Sequence, residues 1–314
     1  MITDKLFPQK SINKKNIMDL LLGQGNFLTY SVSRRREIWN RRIGTFKTKL
    51  NLSNVVFSNC NLDRFDFSGF NLKKANFRKA TLHKINFMGA DLREAKFINA
   101  KCSDINFEKA NLEKAKFKNA KCSDTNFEKA NLEKVNFQKT DIINSIFSEA
   151  NLQEANFMQA RGFKLKFIRA DLRKANLKKV HFRETNFTNA NFEKANLKEA
   201  ILDDVKFGAI FKNTNLQKVD LQRARIDNAS FEGVDLRKAN LSYSDGTSAK
   251  FSNTDLRNAK LKGASLFRAV FINVKVKGTD FTGAQSLANK DIVNFSRNGA
   301  IIEKKIYKKA LMNR

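Results

Sequence analysis

An apolar residue at every fifth position constrains the fold of this chain more than any other feature. From Leu52 to Phe207 the period runs through 32 consecutive units, and only Gly162 interrupts the apolar series. Phe211 follows Phe207 after four residues instead of five, and the period then continues for 15 units to Phe281. A period of five fits neither an α-helix, which repeats every 3.6 residues, nor a strand, which repeats every two. The chain must therefore turn a corner every five residues.

A larger repeat of twenty residues contains this period. The segment "KFINAKCSDINFEKANLEKA" at 96–115 is followed directly by "KFKNAKCSDTNFEKANLEKV" at 116–135, and the two differ at only three positions. The residue two places before each apolar residue is nearly always small or β-branched, and the other three are mostly polar. Each unit thus has two inward and three outward residues. Of the 29 phenylalanines, 21 occupy the apolar position, so most of the aromatic area points inward.

The individual units carry a family resemblance. Units such as "ANLEK", "ADLRE", "ANFEK", "ADLRK" and "VDLRK" resemble the A(D/N)LXX unit of pentapeptide-repeat proteins. The resemblance implies an all-β fold, a right-handed quadrilateral β-helix with one pentapeptide per side and four per coil. Residues 50–285 would then form a solenoid of about twelve coils. The twenty-residue duplication would be one complete coil copied.

Stacked coils predict a core and two capped ends. Residues twenty apart should lie above one another at the interstrand distance of ~4.8 Å, which turns the phenylalanines into ladders. The ends of a solenoid need caps. We expect a basic, partly helical N-terminal cap at 1–49 and a basic amphipathic C-terminal helix within 286–314. The predicted structural core residues are Phe97, Phe107, Phe117, Phe127, Phe137 and Phe147.

The formal charge of +29 favours anionic partners. Residues 1–50 contribute +8, residues 51–284 contribute +16 and residues 285–314 contribute +5. Stacking every twenty residues converts scattered lysines into stripes that could meet phosphates, anionic lipid or an acidic protein. The candidate anion- or partner-binding residues are Arg34, Arg35, Arg36, Arg41, Arg42, Lys73, Lys74, Arg78, Lys79, Arg169, Arg173, Lys174, Lys178, Lys179, Lys304, Lys305, Lys308 and Lys309.

No motif in the sequence indicates catalysis or a cofactor. His83 and His181 lack metal-ligand spacing to carboxylate or cysteine, and no phosphate-binding glycine loop is present. Cys102 and Cys122 lie one coil apart, within disulfide range, but buried cysteines also serve as small hydrophobes. We therefore predict no enzyme activity, no metal and no cofactor.

The sequence favours a non-enzymatic interaction scaffold that docks onto an acidic partner, as a subunit or assembly factor of a larger complex. Nucleic-acid binding through basic stripes is an alternative, although inward phenylalanines leave no stacking platform for single strands. An anionic membrane surface is possible through the C-terminal helix. The resemblance also implies a third option, because some family members modulate DNA gyrase by imitating the negative charge of DNA. The charge of this chain has the opposite sign.

The sequence also predicts two local irregularities in the repeat and a cellular location for the protein. The slip between Phe207 and Phe211 should distort a corner, and Gly162 should place Phe163 on the surface; each marks either a contact site or ordinary repeat drift. The chain shows no signal peptide and no run of 18 apolar residues, which predicts a cytoplasmic or plastid stroma-like location.

Overall fold

The computed structural model describes residues 31–49, 51–203, 205–207 and 209–312. The chain forms two compact units, residues 1–147 and 148–314. The first unit contains helix α1 (Val32–Lys49), and the second contains α2 (Asn289–Arg297) and α3 (Lys304–Met312). The strands are β1 (Asn61–Asp63), β2 (Thr81–His83), β3 (Lys101–Ser103), β4 (Lys121–Ser123) and β5 (Asp141–Ile143) in the first unit, and β6 (Arg161–Phe163), β7 (His181–Arg183), β8 (Ile201–Asp203), β9 (Ser230–Glu232), β10 (Lys250–Ser252) and β11 (Val270–Ile272) in the second.

Each coil has four sides of five residues. We name them from one coil of the first unit: side 1 (76–79), side 2 (81–84), side 3 (86–89) and side 4 (91–94). Strands of successive coils pair in parallel with residues twenty apart in register, and one such register pair is Leu82 with Cys102. Isolated parallel bridges with the same offset join the other three sides. The parallel β-solenoid that the family resemblance implied is thereby confirmed.

The corners explain the polar residues of the repeat. The side chain of Asn71 accepts a hydrogen bond from the backbone N–H of Lys73 (3.1 Å), and the same local bond recurs at most Asn or Asp residues that precede an apolar position. Lys74 has a φ of 60°, and the N–H of Ala75 donates to the carbonyl of Leu72 (2.9 Å). A positive φ at the third residue of a hydrogen-bonded turn is the signature of a type II turn. The repeat therefore encodes one turn per pentapeptide.

Two phenylalanine ladders fill the first unit. Phe97 stacks on Phe117 with ring centroids 4.5 Å apart on side 1, and Phe107 stacks on Phe127 at 5.0 Å on side 3. The two ladders meet edge to face, as in the Phe107–Phe117 pair at 6.0 Å and 88°. All four rings are fully buried. Because offset-stacked and edge-to-face pairs are the favoured arrangements of aromatic rings, the ladders hold neighbouring coils together.

Helix α1 packs against the first coil. Trp39 is fully buried, its ring centroid lies 5.3 Å from that of Phe67 and 5.4 Å from that of Phe70, and its indole N–H donates to the carbonyl of Asp66 (2.5 Å). An aromatic residue at position 70 replaces the alanine found there in later coils, which provides the helix with an apolar surface. Of the cap predicted over 1–49, residues 1–30 lie outside the described part of the chain.

The last coil of the second unit is covered by two helices where the sequence indicated one. Phe295 in α2 stacks on Phe281 at 5.3 Å and meets Phe271 edge to face at 5.2 Å. Helix α3 places Ala310 in a small core with Ile292 of α2. The periodicity of 298–314 indicated a helix there but gave no separate signal for α2.

The slip at 207–211 changes the coil register within the second unit. Bridges that are twenty residues apart before the slip become nineteen apart across it, as in Lys206 with Arg225. The shortened corner moves the strand-forming side: β6, β7 and β8 lie on side 2, whereas β9, β10 and β11 lie on side 4. Phe192 stacks on Phe211 at 5.1 Å, so the aromatic ladder of side 4 begins at Phe192 and continues across the slip.

Gly162 is a packing requirement of β6. A Cβ atom at this position would lie 2.6 Å from side-chain carbons of both Leu165 and Phe182. The phenylalanine of the next coil therefore fills the space that an apolar side chain at 162 would take. Phe163 is half-buried, with the Lys164 ammonium 5.0 Å from its ring centroid.

Candidate functional site: a basic face

Charge in the first unit is sorted by side. Among residues 51–147, side 1 carries six basic residues and no acidic ones. The other sides are balanced, with four basic and four acidic residues on side 2, two and three on side 3, and five and four on side 4. Side 1 therefore carries the excess positive charge of these coils. We call its cations the basic face: Arg78, Lys79, Lys96, Lys116, Lys118 and Lys139.

The six cations of the basic face are exposed and have no carboxylate partner. Within the described residues, none of their nitrogens lies within 4.0 Å of a carboxylate oxygen. Lysines on the neighbouring sides differ, since Lys84 lies 3.8 Å from Asp104 and Lys114 lies 2.8 Å from Glu113. A cation without an internal partner keeps its whole field for an external anion. The basic face is the strongest candidate interaction site of the first unit.

The backbone spaces these cations regularly. Lys96 and Lys116 are parallel bridge partners, so their backbones lie about 4.8 Å apart. The coils from Arg78 to Lys139 span three such steps, about 14 Å. No aromatic side chain is exposed on the face, and its one apolar residue among the cations, Ile98, is only partly exposed. The surface is flat, polar and cationic.

Side 1 is also basic in the second unit, but there its charges are partly paired. It carries nine basic and three acidic residues. Arg237 donates two hydrogen bonds to Asp235 (2.8 and 2.9 Å), and Arg257 binds Asp255 in the same way. Burial disfavours ionisation of Asp255, but the hydrogen bonds from Arg257 outweigh it and the pKa of this carboxyl lies below its usual range. A depression of about 280 Å³ beside these pairs is lined by Gln217, Lys218, Arg237, Lys238, Arg257 and Asn258.

The predicted N-terminal arginines face different surroundings. Arg34 and Arg41 both bind Glu37, at 2.8 and 2.6 Å. Arg36 binds Asp63 of the first coil at 2.8 Å, which makes it part of the cap contact. Arg35 is half-buried, and burial lowers the pKa of its guanidinium. The side chain of Arg42 lies outside the described part of the structure.

The predicted clusters within the repeats are divided by corners. Arg78 and Lys79 belong to the basic face, whereas Lys73 and Lys74 lie on side 4, where Lys74 approaches Glu94 at 3.7 Å. The second cluster spreads over three sides. Arg169 binds Glu149 on side 3. On side 4, Arg173 lies 2.6 Å from Asp171 and Lys174 lies 3.7 Å from Glu154. Lys178 and Lys179 lie on side 1, where Lys179 binds Glu199 at 3.3 Å.

The four predicted C-terminal lysines lie on α3 and are exposed. They are Lys304, Lys305, Lys308 and Lys309, and Lys305 lies 3.4 Å from Glu303. Tyr307 and Ala310 of this helix pack against α2. The surface that α3 presents to solvent combines these lysines with the exposed Ile306, Leu311 and Met312, so contact of this helix with an anionic membrane surface stays a prediction.

Four residues of the basic face were missed by sequence reasoning. Lys96, Lys116, Lys118 and Lys139 are isolated from one another along the chain and form no obvious cluster. Their shared position follows only when residues are numbered by side in steps of twenty. That signal was present in the sequence.

The two stacked cysteines are buried thiols. Cys102 and Cys122 are register partners and free, each about 2 % exposed. The contact with Cys102, together with burial, raises the pKa of the Cys122 thiol well above its ordinary value. Since the thiolate is the reactive form, we expect a thiol reagent to modify the half-buried Cys60 first and the other two only on unfolding. Mass-spectrometric labelling under native conditions checks this; equal labelling of all three would contradict it.

The family comparison decides the identity of the fold. A model described as "Pentapeptide repeat region" matches residues 90–161, and "Pentapeptide repeats (8 copies)" matches 51–89, 166–204, 208–245 and 247–284. The chain belongs to the pentapeptide-repeat family. These matches cover most of the chain and coincide with the described coils. No enzyme family matches, and a search of curated proteins found no match.

Solved pentapeptide-repeat proteins are similar to this one at low identity. HetL, described as involved in heterocyst differentiation regulation in the cyanobacterium Nostoc sp. strain PCC 7120, is 25% identical, with 78% of this chain and 95% of HetL covered and a TM-score of 0.31. A trypsin-treated variant of QnrB1, a plasmid-mediated fluoroquinolone resistance protein, is 16% identical, with 58% of this chain and 88% of that chain covered and a TM-score of 0.43. These likenesses accompany the family assignment and add no evidence on function.

The described residues contain neither a membrane-spanning helix nor a metal-binding cluster. No helix there has the length and apolar character needed to cross a membrane. No three histidine, cysteine, aspartate or glutamate side chains there come together as a metal site requires.

Proposed function

We propose that this pentapeptide-repeat protein is a non-enzymatic interaction scaffold that docks onto an acidic partner through the basic face. The observation that carries the proposal is the sorting of charge in the first unit, where six unpaired cations share side 1 with no acidic residue. Ordinary surface solubility requires no such sorting, since mixed charges on every side would serve equally well. Docking of this kind suits a subunit or assembly factor of a larger complex.

Imitation of DNA is disfavoured by the same charges. A DNA mimic must present a surface of negative charge to a basic partner. The most acidic side of the first unit, side 3, has two basic and three acidic residues and so is nearly neutral. The basic face instead has the sign that a protein contacting a polyanion would have.

Charge reversal on one side at a time tests the proposal. In the face variant, Lys96, Lys116 and Lys118 are replaced by glutamate; in the control variant, Lys109, Lys114 and Lys129 of sides 3 and 4 are replaced. Both variants have the same net charge, so long-range attraction is matched. Binding to poly-L-glutamate, an acidic polypeptide probe, is measured by titration at about 0.1 M salt, where the Debye length is about 10 Å.

We expect the face variant to lose at least about tenfold in affinity, which corresponds to a loss of about 1.4 kcal/mol, while the control stays close to wild type. Electrostatic complementarity is local at this ionic strength, so position should outweigh net charge. Equal losses in the two variants would show that no particular face binds. The proposal would then be wrong.

A further inference from the structure

We infer that the anion recognised by the basic face is the phosphate backbone of a nucleic-acid duplex, bound without reading base sequence. The inference rests on the proposed function, because it names the acidic component of the partner. Three properties of the face carry it: its side-chain composition, its charge density and its flat shape.

The side-chain composition of the basic face favours a polyanion over a protein surface as its ligand. Five of the six cations are lysines, and no aromatic side chain is exposed among them. The cores of protein–protein interfaces are depleted in lysine and enriched in aromatic residues, methionine and arginine, which supply the anchoring contacts. Contacts to phosphate oxygens instead use lysine and arginine together with small polar side chains. The remaining positions of the face fit this description, since they include Asn76, Asn99, Asn119 and Gln138.

Charge density also favours a duplex. The cations occupy about 14 Å along the coil axis. A duplex carries one charge per about 1.7 Å of axis, which gives about eight phosphates over this length, about half of them on the facing side. An acidic helix with one carboxylate per turn presents about three, and an extended acidic strand about two. The duplex is the ligand that comes nearest to neutralising six cations, and long lysine stems can reach its flanking phosphates.

The shape and side chains of the basic face disfavour single-stranded nucleic acid, a membrane surface and contacts to base edges. Single strands are held by stacking of bases on aromatic side chains, and every phenylalanine of side 1 in the first unit is buried. A membrane-binding surface combines cations with inserted apolar groups. On side 1 of the first unit the exposed large apolar residue is Val56, which lies one coil before Arg78. A flat surface without a projecting element contacts backbone rather than base edges, so binding should not depend on sequence.

The salt dependence of duplex binding tests the inference. Fluorescence anisotropy of a labelled DNA duplex of about 20 base pairs is followed from about 50 to about 300 mM NaCl. The proteins are wild type and two alanine variants, which replace the charge-reversal variants in this experiment. Here the face variant has Lys96, Lys116 and Lys118 replaced by alanine, and the control has Lys109, Lys114 and Lys129 replaced by alanine. Competitors are poly-L-glutamate, a single strand of the same sequence, a duplex of different sequence, and vesicles containing anionic phosphatidylserine.

Each lysine–phosphate contact releases about 0.9 counterion, so the slope of log affinity against log salt should flatten by about 2.7 in the face variant. Between about 50 and about 200 mM salt, wild-type affinity should then fall about 40-fold more than that of the face variant. The control should keep the wild-type slope. The second duplex should compete equally well, and the other competitors more weakly.

Three results would overturn the inference: equal slopes in the face and control variants, tighter binding of single strands or vesicles, or strong preference for one duplex sequence. If duplex binding is absent while poly-L-glutamate still distinguishes the two charge-reversal variants, the partner is an acidic protein. The proposed function then stands and only the duplex inference fails. If duplex binding is absent and poly-L-glutamate does not distinguish the two charge-reversal variants, the basic face is not a docking site.

Discussion

Replacing Phe117 by aspartate should unfold the coils of the first unit. Phe117 is fully buried and stacks on Phe97 at 4.5 Å and on Phe137 at 4.9 Å. Deleting a buried phenylalanine side chain costs about 3–5 kcal/mol, and burying a carboxylate without a partner adds to that cost. The sum is comparable with the whole stability of a typical domain. Urea unfolding followed by circular dichroism should show the loss of cooperative β structure.

The matched control lies two residues along the same pentapeptide. Asn119 is exposed with a φ of 58°, a conformation that aspartate also adopts readily. Replacing Asn119 by aspartate introduces the same carboxylate on the outside. The free energy of unfolding should change by no more than about 0.5 kcal/mol, so the unfolding midpoint should stay close to that of wild type. A Phe117→Asp protein with a wild-type midpoint would show that this ladder does not hold the coils together.

Much of this fold follows from arithmetic on the sequence. The period of five fixes the corners, and the period of twenty fixes which residues stack, so the ladder through Phe97 and Phe117 could be placed before any coordinates. This works because each coil contacts mainly its neighbours, and local rules therefore determine the whole solenoid. The turn chemistry at Asn71 and Lys74 is equally local.

The basic face could be predicted only in part because nearness along the chain is misleading in a solenoid. Lys74 and Arg78 are four residues apart yet lie on different sides, whereas Lys96 and Lys116 are twenty apart and adjacent. Counting in steps of twenty also fails across the slip at 207–211, where the register is nineteen for one coil before it returns to twenty. Ion pairs that neutralise a lysine depend on the neighbouring coil and on side-chain reach, which composition does not show.

The cap could not be derived from the repeat, because α1 has no fivefold period and meets the coils through side chains of its own. Trp39 carries that contact: it is fully buried against Phe67 and Phe70, and it is the only tryptophan in the sequence. Its hydrogen bond to the carbonyl of Asp66 fixes the indole on the exposed edge of the first coil. Coil ends left uncovered present unpaired backbone groups to other chains.

Replacing Trp39 by alanine should therefore release α1 from the first coil, with a loss of about 3–5 kcal/mol in docking free energy. Trp39→Phe keeps the aromatic contact but removes the N–H donor, and should cost about 1 kcal/mol. Hydrogen exchange measures both, because amides of 57–70 should lose protection strongly in the alanine variant and weakly in the phenylalanine variant. Light scattering should show self-association of the alanine variant through the uncovered edge. If both variants keep wild-type protection at 57–70, α1 does not stabilise the first coil and the solenoid must protect its end by other means.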